Sequence, residues 1–271
     1  MKKFIALLLS VLMVLSMVAC ATKDTTGDVD KKEQTDLEYV KEKGTLIVGI
    51  TDFAPMDYKD DNGNWIGFDA DMATAFAKSL GVKVEFVEID WDNKVMELDG
   101  KTIDCVWNGM TLTDEVKSAM GTSNAYCNNA QVVVVKSDVA DKYQTVDSVK
   151  ALKFAVEAGS AGEKEVKALE PTNEPTPVKA QSDALLEVKS GTSDAAVIDL
   201  LMAGAMIGEG TGYADLTYTV SLNSEEYGVG FRKGSDLVDA LNKFFADAYA
   251  DGSMMDCAKK YGVQESIIEQ K

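Results

Sequence analysis

The sequence predicts an α/β fold of two lobes, because short apolar strands alternate with helical segments and because the chain contains two extended crossings. Thr45–Ile50 is a short apolar strand, and Phe68–Leu80 carries apolar residues at helical spacing before a glycine that suits a helix C-terminus. Residues 82–87 alternate as a second strand, residues 94–98 begin another helix, and residues 103–106 form a third strand. This βαβαβ order predicts a mainly parallel sheet covered by helices.

A second lobe is predicted after the β-branched run of residues 131–136, where a new set of alternating elements begins. Its elements are a strand at residues 153–157, helices at residues 162–169 and 182–190, and a buried strand at residues 195–198. Residues 227–232 then form a strand that returns to the first lobe. The second lobe is therefore inserted into a discontinuous first lobe, and the two crossings form a hinge beside a cleft that suits a small molecule. The predicted bounds are residues 37–133 and 226–271 for the first lobe and residues 134–225 for the second.

The N-terminal segment has the pattern of a lipoprotein signal peptide over residues 1–19. Two lysines follow the initial methionine, residues 4–18 are apolar, and small residues precede Cys20. The apolar stretch is shorter than the roughly 20 residues that span a bilayer, which favours cleavage before Cys20 over a transmembrane anchor. We expect a lipid on Cys20, a flexible polar tether over residues 20–36, and a domain outside the cytoplasmic membrane, at its outer face or in the periplasm.

Composition excludes several classes of function. The formal charge of −18 argues against nucleic acid or an anionic lipid surface as a partner, because both require a basic patch. The sequence has no histidine, which removes Ser-His-Asp and Cys-His catalysis and the commonest metal ligand. No metal or other cofactor is predicted, since Cys105, Cys127 and Cys257 lack metal-site spacing. An exported location permits one disulfide, with Cys105 and Cys127 nearest in sequence, but Cys105 fits a buried thiol equally well.

Two segments carry a resemblance to a known family. Residues 65–72 read Trp-Ile-Gly-Phe-Asp-Ala-Asp-Met, and residues 103–111 read Ile-Asp-Cys-Val-Trp-Asn-Gly-Met-Thr. From about residue 44 to about residue 262 the sequence resembles the amino-acid class of extracytoplasmic solute-binding proteins, bacterial solute-binding protein family 3, which are the ligand-capturing subunits of ABC importers. The resemblance implies a two-lobe periplasmic-binding-protein-like fold of type II, a monomer, and an ABC transporter permease as partner.

Candidate ligand-binding residues lie where the predicted strands end, because loops and helix N-termini at that edge present free backbone N–H donors. The segments concerned are residues 51–58, 90–91, 108–111 and 157–162, together with Asp199. Phe53 and Trp91 are at positions where the family holds its ligand between aromatic faces, although core packing is the ordinary alternative for Phe53.

The resemblance assigns the carboxylate of the ligand to one segment in each lobe. The matching residues are Asn108, Gly109, Met110 and Thr111 in the first lobe and Ser160 and Ala161 in the second. In the first segment a backbone amide and the threonine hydroxyl bind the carboxylate, and in the second the N–H groups at the start of a helix close on it. The first segment also suits the N-cap of a helix that begins near Thr113.

Four acidic residues indicate a cationic group on the ligand. Asp199 matches the acidic residue that takes the ligand's ammonium group, and its structural alternative is the N-cap of the helix that follows. Glu157 matches a position that contacts the ligand's side chain, and Asp52 and Asp57 add to an acidic cleft. A polar or cationic amino acid is therefore the predicted ligand.

The sequence departs from the family at the carboxylate-binding arginine, whose position is occupied by Val116. Arg232 is the only arginine in the sequence and lies beyond the hinge strand. Losing such a charge-assisted pair costs roughly 1.5–3 kcal/mol unless other donors compensate. Two interpretations stay open: an amino acid held by Thr111, Ser160 and backbone amides, or a small amine selected by the acidic groups.

Capture of a small extracellular solute for import, without catalysis, is the predicted function. One alternative is an exported dehydratase-like enzyme in which Glu157 serves as the general acid. Another is a sensor that passes its ligand state to a second protein. The sequence contains no nucleophile constellation that favours the enzyme.

Overall fold

The computed structural model describes residues 34–271, which fold around two β-sheets. The predicted signal peptide, Cys20 and the predicted tether as far as residue 33 lie outside the described residues. The first described helix, Asp36–Lys43, begins with a capping box in which the side chains of Thr35 and Glu38 each accept the backbone N–H of the other residue. The predicted tether of residues 20–36 therefore overlaps the folded domain at its last two residues.

Helices and strands alternate along the described residues. The strands are β1 (Thr45–Ile50), β2 (Tyr58–Lys59), β3 (Trp65–Ile66), β4 (Lys83–Glu88), β5 (Cys105–Thr111), β6 (Gly121–Thr122), β7 (Cys127–Asn129), β8 (Gln131–Lys136), β9 (Phe154–Glu157), β10 (Thr176–Val178), β11 (Ala195–Asp199), β12 (Leu216–Ser221) and β13 (Glu225–Phe231). The helices are α1 (Asp36–Lys43), α2 (Phe68–Leu80), α3 (Lys94–Asp99), α4 (Asp114–Ala119), α5 (Val146–Val149), α6 (Ala161–Ala168), α7 (Gln181–Ser190), α8 (Leu200–Met206), α9 (Leu237–Ala250) and α10 (Ser253–Tyr261). Short 3₁₀ turns lie at Trp91–Asn93, Ser137–Lys142 and Gln264–Ser266. Within residues 34–271 no helix is both long and apolar enough to cross a bilayer.

The first sheet has the strand order β4-β1-β5-β13-β6, and β7 also pairs with β13. β1 is parallel to both β4 and β5, as the βαβαβ order predicts. β13, which arrives from the second lobe, is antiparallel to β5. The carboxyl ends of β1, β4 and β5 therefore meet at one edge of the sheet.

The second sheet has the strand order β10-β9-β11-β8-β12. β9 is parallel to β10 and β11, whereas β8 is antiparallel to both β11 and β12. Glu157 is the last residue of β9 and Asp199 is the last residue of β11. Because these two strands are parallel neighbours, both carboxyl groups come to the same edge of the second sheet.

The chain passes between the two sheets twice. It leaves the first sheet between β7 and β8, at Ala130, and returns between β12 and β13, at residues 222–224. This is the inserted, two-crossing architecture that the sequence predicts. The predicted lobe boundary between residues 133 and 134 stays a prediction, and the pairing of β8 with the second sheet favours a boundary at residue 130.

Buried aromatic side chains hold β5 in place. The ring of Trp107, in β5, lies edge-on to Phe245 with the centroids 5.4 Å apart, and Tyr126 lies 5.5 Å from the same ring. All three side chains are fully buried, and full burial of a large apolar side chain stabilises a fold by roughly 1.5–3 kcal/mol. The core thus fixes the strand whose last residues reach the candidate site.

Arg232, which follows β13, joins three elements of the first lobe. Its Nε lies 3.0 Å from each carboxylate oxygen of Asp36, at the start of α1. Its Nη1 donates to the carbonyl oxygen of Leu98 over 3.2 Å and to that of Ile103 over 2.9 Å. The lone arginine therefore connects α1, the end of α3 and the segment that leads into β5.

The three cysteines among the described residues, Cys105, Cys127 and Cys257, are free thiols. Cys105 and Cys127 are buried, so the buried-thiol alternative for Cys105 is confirmed and the permitted disulfide is not formed. Burial raises the pKa of Cys257 to about 12 and raises the pKa of Cys105 well above its usual value. The thiols therefore stay protonated and behave as apolar side chains.

Candidate functional site

A cavity of about 450 Å³ lies between the two sheets, where their parallel strands end. Its first-lobe wall comes from the 3₁₀ turn after β4, from α3, from the end of β5 and from α4. Its second-lobe wall comes from the end of β9 and the turn after it, from α6, from the start of α7 and from the end of β11. Small-molecule sites in proteins have volumes of roughly 300–1,000 Å³, so this cavity is a candidate ligand site in the described part of the chain.

Nine of the predicted ligand-binding residues line this cavity. They are Trp91, Asn108, Gly109, Met110, Thr111, Glu157, Ser160, Ala161 and Asp199. Asp52, Phe53 and Asp57 are not among the lining residues. The fold therefore brings predicted residues from both lobes together, and their contact with a ligand stays a prediction.

Phe53 and Asp52 lie outside the cavity for different reasons. Phe53 is 2% exposed, and its ring packs edge-on against Tyr227 with the centroids 6.3 Å apart. A Cβ added at Gly109 would lie 2.4 Å from the Phe53 ring, so this ring supports the cavity wall from behind. Phe53 has the core position that was its alternative, and Asp52 is an exposed residue that does not line the cavity.

Asp57 is fully buried behind the cavity wall, where it orients Asn108. Asn108 Nδ2 donates to Asp57 Oδ2 over 2.8 Å, and Asn108 Oδ1 accepts from the backbone N–H and the hydroxyl of Thr51. Beside it, Asp69 Oδ2 accepts the backbone N–H of Gly109 over 2.7 Å. The two buried carboxyl groups therefore fix two consecutive wall residues, and the Gly109 N–H is not free for a ligand.

The same two carboxyl groups have raised pKa values. Burial, followed by repulsion from Asp69, raises the pKa of Asp57 well above its usual value, and burial raises the pKa of Asp69 to about 7. One oxygen of each carboxyl group has no hydrogen-bond partner among the described residues. A proton retained on this pair near neutral pH removes one of two buried like charges.

β5 continues to Thr111, whereas the sequence predicts a strand that ends at residue 106. Pairing with β13 extends the strand, since Thr111 lies opposite Tyr227 in an antiparallel ladder. The register shifts around Gly109, whose φ of +56° suits glycine. Local periodicity could not show this extension, because the partner strand comes from the far end of the chain.

The threonines at the end of β5 and just after it are already engaged in hydrogen bonds. Thr113 Oγ1 accepts the Val116 N–H over 3.2 Å and caps α4, which confirms the N-cap alternative for this segment. The Thr111 hydroxyl donates to Glu225 Oε1 over 3.0 Å. A ligand carboxylate at Thr111 must therefore compete with Glu225 for the hydroxyl hydrogen.

The second-lobe segment begins α6. Ser160 Oγ accepts the Glu163 N–H over 3.1 Å, so the predicted ligand-binding hydroxyl serves as the helix N-cap. Glu163 Oε2 in turn accepts the Gly159 N–H over 2.9 Å. The backbone N–H of Ala161, in the first helical turn, has no acceptor within the helix. Ala161 therefore presents a donor to the cavity at the end of a helix that favours anions.

Asp199 is 3% exposed at the end of β11 and accepts four side-chain hydrogen bonds. The donors are Gln131 Nε2 at 2.9 Å, the Tyr227 hydroxyl at 2.6 Å, and the side-chain amides of Asn129 and Gln181. Asp199 also occupies the N-cap position of α8, as its structural alternative predicts, but its side chain makes no capping hydrogen bond. Burial, followed by repulsion from Glu225, raises the pKa of Asp199 well above its usual value.

Glu225 links Asp199 to both hinge segments. Asn129 Nδ2 and Gln131 Nε2 each lie 2.8 Å from Glu225 Oε1, and both also donate to Asp199. Asn129 ends β7 and Gln131 begins β8, so they flank the outgoing crossing, whereas Glu225 begins the returning strand β13. Glu225 is not among the residues predicted from the sequence, because no spacing rule connects residues from the two crossings.

Glu157 is the last residue of β9 and is 2% exposed. Its Oε1 has no hydrogen-bond partner among the described residues. Burial raises the pKa of Glu157 to about 8, although the charge of Lys94 opposes this effect. The carboxyl group is therefore mostly neutral at pH 7. Glu157 is also one of the residues that line the cavity.

Lys94 was not predicted as a site residue, yet it lines the cavity and is 9% exposed. Its Nζ donates to the carbonyl oxygens of Trp91, over 3.1 Å, and Gly159, over 3.0 Å, and lies 5.0 Å from the centroid of a Trp91 ring. Burial lowers the pKa of Lys94, although the charge of Glu157 opposes this effect. The spacing carried a usable signal, because a residue three positions after Trp91 lies near it on a helical turn.

Val116 occupies the cavity wall at the position of the missing arginine. It is 9% exposed and belongs to an apolar cluster with Trp91 and Met110. Arg232 is not among the lining residues, because its guanidinium is held by Asp36. α4 therefore presents methyl groups to the cavity where the resemblance implies a cation.

Contacts between the lobes close around the cavity. They are Lys94 Nζ to Gly159 O at 3.0 Å, Lys164 Nζ to Glu115 Oε2 at 2.7 Å, and Lys179 Nζ to Asp90 Oδ1 at 3.6 Å. Gly159 also meets Asp92 so closely that an added Cβ would lie 2.7 Å from the Asp92 Cα. The structure therefore has the lobes in contact across the cavity.

The sequence matches a family model, and that family agrees with this geometry. The family model described as "Bacterial extracellular solute-binding proteins, family 3" matches residues 46–264. The chain therefore belongs to this family, and its two-sheet architecture is the type II periplasmic-binding-protein fold.

Relatives with stated functions match over most of their length. The arginine-binding extracellular protein ArtP of Bacillus subtilis (strain 168) is 28% identical over 269 residues, which cover 96% of this chain and 98% of the relative. The L-cystine-binding protein TcyJ of Escherichia coli (strain K12) is 30% identical over 232 residues, which cover 83% of this chain and 85% of the relative. The chain is thus similar to proteins that are named for binding an amino acid.

Solved structures show the same architecture. A substrate-binding protein of an ABC uptake transporter from Streptococcus pneumoniae, with bound histidine, is 29% identical with a TM-score of 0.79 and covers 87% of this chain and 99% of its own. A mutant of ArgBP from T. maritima is 32% identical with a TM-score of 0.78, and the match covers 84% of this chain and 99% of the mutant's chain. The ancestral amino acid-binding protein AncCDT-1, described as a precursor of cyclohexadienyl dehydratase, is 33% identical with a TM-score of 0.76, covering 83% and 98%.

Proposed function

We propose that the protein captures an amino acid with a polar or cationic side chain in the interlobe cavity and delivers it to the permease of an ABC importer. The observation that supports this best is that Glu157, whose buried Oε1 has no hydrogen-bond partner among the described residues, lines the cavity together with the buried Asp199. A buried carboxyl oxygen without a partner is costly, so an N–H or ammonium group of a ligand that reaches it stabilises the complex. A cationic group also favours the ionised form of Glu157.

The relatives support an amino-acid ligand. ArtP is named for arginine and TcyJ for cystine, and two of the similar solved structures contain bound histidine and bound arginine. Arginine and histidine carry cationic or titratable side chains, which suit an acidic cavity. The particular amino acid and the permease of this chain are part of the proposal.

The proposed location is the outer face of the membrane, with a lipid on Cys20. The family of extracellular proteins and the signal-peptide pattern of residues 1–19 support it. Mass spectrometry of the mature N-terminus checks the lipid, and an unmodified Cys20 in protein from the native cell would contradict it.

Thermal unfolding with candidate ligands tests the binding. The purified protein is melted with arginine, histidine and cystine, and with their decarboxylated counterparts agmatine, histamine and cystamine. A ligand at about 100 times its Kd adds about 2.7 kcal/mol to the free energy of unfolding, which raises the midpoint by several degrees. We expect stabilisation by at least one amino acid, with calorimetric titration giving its Kd.

Stabilisation by amines alone would contradict the amino-acid proposal, and no stabilisation by either set would indicate another class of solute. Uptake of the labelled amino acid by cells with and without the gene separates import from sensing. Uptake that is unchanged without the gene would contradict delivery to a permease.

A dehydratase-like enzyme is the second candidate function, because Glu157 has the property of a general acid. A pKa of about 8 keeps its carboxyl group protonated at neutral pH, and the similar AncCDT-1 is described as a dehydratase precursor. Incubation with cyclohexadienyl substrates, followed by absorbance, tests for turnover. Turnover that is lost in Glu157→Gln would support the enzyme, and binding without turnover would support capture alone.

A further inference from the structure

Lys94 is a buried cation with spare donor capacity on the cavity wall. Two of its ammonium hydrogens meet the carbonyl oxygens of Trp91 and Gly159. Among the described residues, no carboxylate oxygen lies within 4.0 Å of Lys94 Nζ, the distance that defines an ion pair. An ammonium group has three donors, so one remains for a group that enters the cavity.

The other cations on the wall do not share this property. Lys164 pairs with Glu115 at 2.7 Å and Lys167 pairs with Glu163 at 2.8 Å, and both lysine side chains are more than half exposed. Water therefore solvates both ammonium groups already. Lys94 is the buried one of the three, and a buried charge gains most from a partner of opposite sign.

The position of the Lys94 ammonium suits a carboxylate. Its contact with the Gly159 carbonyl oxygen places it beside the first turn of α6, where the Ala161 N–H lacks an intrahelical acceptor. An anion in that corner of the cavity would receive both a charged donor and a backbone donor. Val116, on the first-lobe wall with Lys94, offers neither.

The charges of the wall also match a zwitterion better than an amine. Glu157 and Asp199 suit a cationic group, whereas Lys94 repels one and is left unpaired by any ligand without an anionic group. An amine ligand would therefore bury its own positive charge next to that of Lys94. An amino acid satisfies both signs at once.

We propose that Lys94 binds the α-carboxylate of the ligand, and that it selects amino acids against the corresponding decarboxylated amines. This inference rests on the proposed function, since it requires that the cavity binds an amino acid. It assigns the carboxylate to a lysine of α3 in a chain that has no arginine on α4.

Calorimetric titration of wild type and Lys94→Gln with arginine and agmatine tests this assignment, and histidine with histamine serves if the first pair does not bind. Glutamine keeps an N–H donor for the Gly159 carbonyl oxygen but removes the charge. We expect the Kd for the amino acid to rise by about tenfold to a hundredfold, which is the loss of one charge-assisted hydrogen bond, while the Kd for the amine is unchanged or lower. Lys167→Gln, at an exposed lysine on the second-lobe wall, is the control and should keep the wild-type ratio of the two Kd values.

The outcomes separate the two proposals. If the ratio of the two Kd values in Lys94→Gln stays at the wild-type value, the role of Lys94 is overturned. An equal loss of affinity for both ligands is one such result, and it is expected if Lys94 only joins the lobes. A wild type that binds the amine and no amino acid would overturn the proposed function and the role of Lys94 together. If Lys94→Gln melts well below wild type, Lys94→Met is measured in its place, and the same ratios decide.

Discussion

At the scale of single residues, burial determines which side chains of the cavity are charged. Glu157 and Lys94 are opposite in sign and both nearly inaccessible, and burial moves the pKa of each towards its neutral form. The carboxyl group is the more affected, with a pKa of about 8. The chemistry of the cavity therefore depends on pH within the physiological range.

Glu157→Gln should remove a pH dependence of stability. The pKa of Glu157 is about 8 in the folded protein and 4.5 for the free side chain, so between these values the folded state holds more protons than the unfolded state. The contribution of Glu157 is fully present below pH 4.5 and is lost as the pH rises towards 8. Relative to Glu157→Gln, the free energy of unfolding of wild type should fall by about 1.4 kcal/mol per pH unit in this window.

Urea unfolding of both proteins between pH 5 and pH 8 measures this difference. Asp57 and Asp69 also have raised pKa values, but they are present in both proteins and cancel in the comparison. Repulsion from Glu157 is one cause of the raised pKa of Asp199, so this part of the Asp199 shift is removed together with Glu157. Stability curves that stay parallel over the whole range would show that Glu157 is not held protonated.

At the scale of elements, the turn between β9 and α6 decides how closely the lobes approach. Gly159 lies in this turn with a φ of +69°, and a Cβ there would lie 2.6 Å from Asp92 Oδ1 and 2.7 Å from Asp92 Cα. The second of these atoms belongs to the backbone and cannot move aside by a side-chain rotation. The turn therefore needs glycine both for its conformation and for contact with the opposite lobe.

Gly159→Ala should weaken ligand binding by preventing full closure. The control is Gly81→Ala, at the end of α2, where φ is +77° and nothing lies within 4 Å of an added Cβ. Both variants carry the strain of a left-handed residue, about 1–2 kcal/mol, but only the first disturbs the contact between lobes. If closure becomes harder by about 1.4 kcal/mol, the Kd rises about tenfold in Gly159→Ala alone.

Calorimetric titration of the amino acid that stabilises the wild type gives both Kd values, and small-angle X-ray scattering reports whether Gly159→Ala is more open. Equal Kd values in the two alanine variants would show that the contact between Gly159 and Asp92 does not limit binding.

At the scale of the whole molecule, stability and binding depend on separate groups of polar residues. Arg232 connects α1 to the segment that leads into β5, on residues that do not line the cavity. Asn129, Gln131 and Glu225 instead connect both hinge segments to Asp199 on the cavity wall. A change in the first group should therefore affect folding without affecting ligand selection.

Arg232→Met should lower the free energy of unfolding and leave the Kd for the ligand unchanged. The arginine and Asp36 side chains are 10% and 13% exposed, and breaking a largely buried pair costs about 3–5 kcal/mol. Arg232→Lys keeps the charge but not the two-pronged geometry, so its stability should be intermediate. Urea unfolding measures the free energy of unfolding, and a titration below the melting midpoints of both proteins measures the Kd for the ligand. A raised Kd in a stable Arg232→Met protein would refute the separation of stability from binding.

Local patterns were sufficient for most of the fold. Apolar alternation and helical spacing predicted β1, α2, β4, β9 and α7 within about two residues, because each pattern needs only neighbours along the chain. The end of β5 was predicted wrongly, because Thr111 is in a strand only through its pairing with Tyr227. Strand ends that depend on a distant partner have no local signal.

The candidate site shows the same division. Strand ends and the family motif brought nine predicted residues to the cavity wall, since the ends of parallel strands meet at one edge. Phe53 and Asp57 follow the same rule in sequence, but their side chains point into the interior, where they support Gly109 and Asn108. Lys94 and Glu225 were missed, because a lysine in a helix and a glutamate in a crossing look like ordinary surface residues in sequence.

The sequence by itself determined the class of protein, the two-lobe order of the chain and the absence of an arginine at Val116, because these depend on composition, periodicity and motif. Only the tertiary structure decided which groups face the cavity and in which charge state. Burial gives Glu157 a pKa of about 8, and the closure of one lobe on the other brings Lys94 to Gly159. Both effects arise from residues distant in sequence that exclude water together, and no local pattern encodes that exclusion.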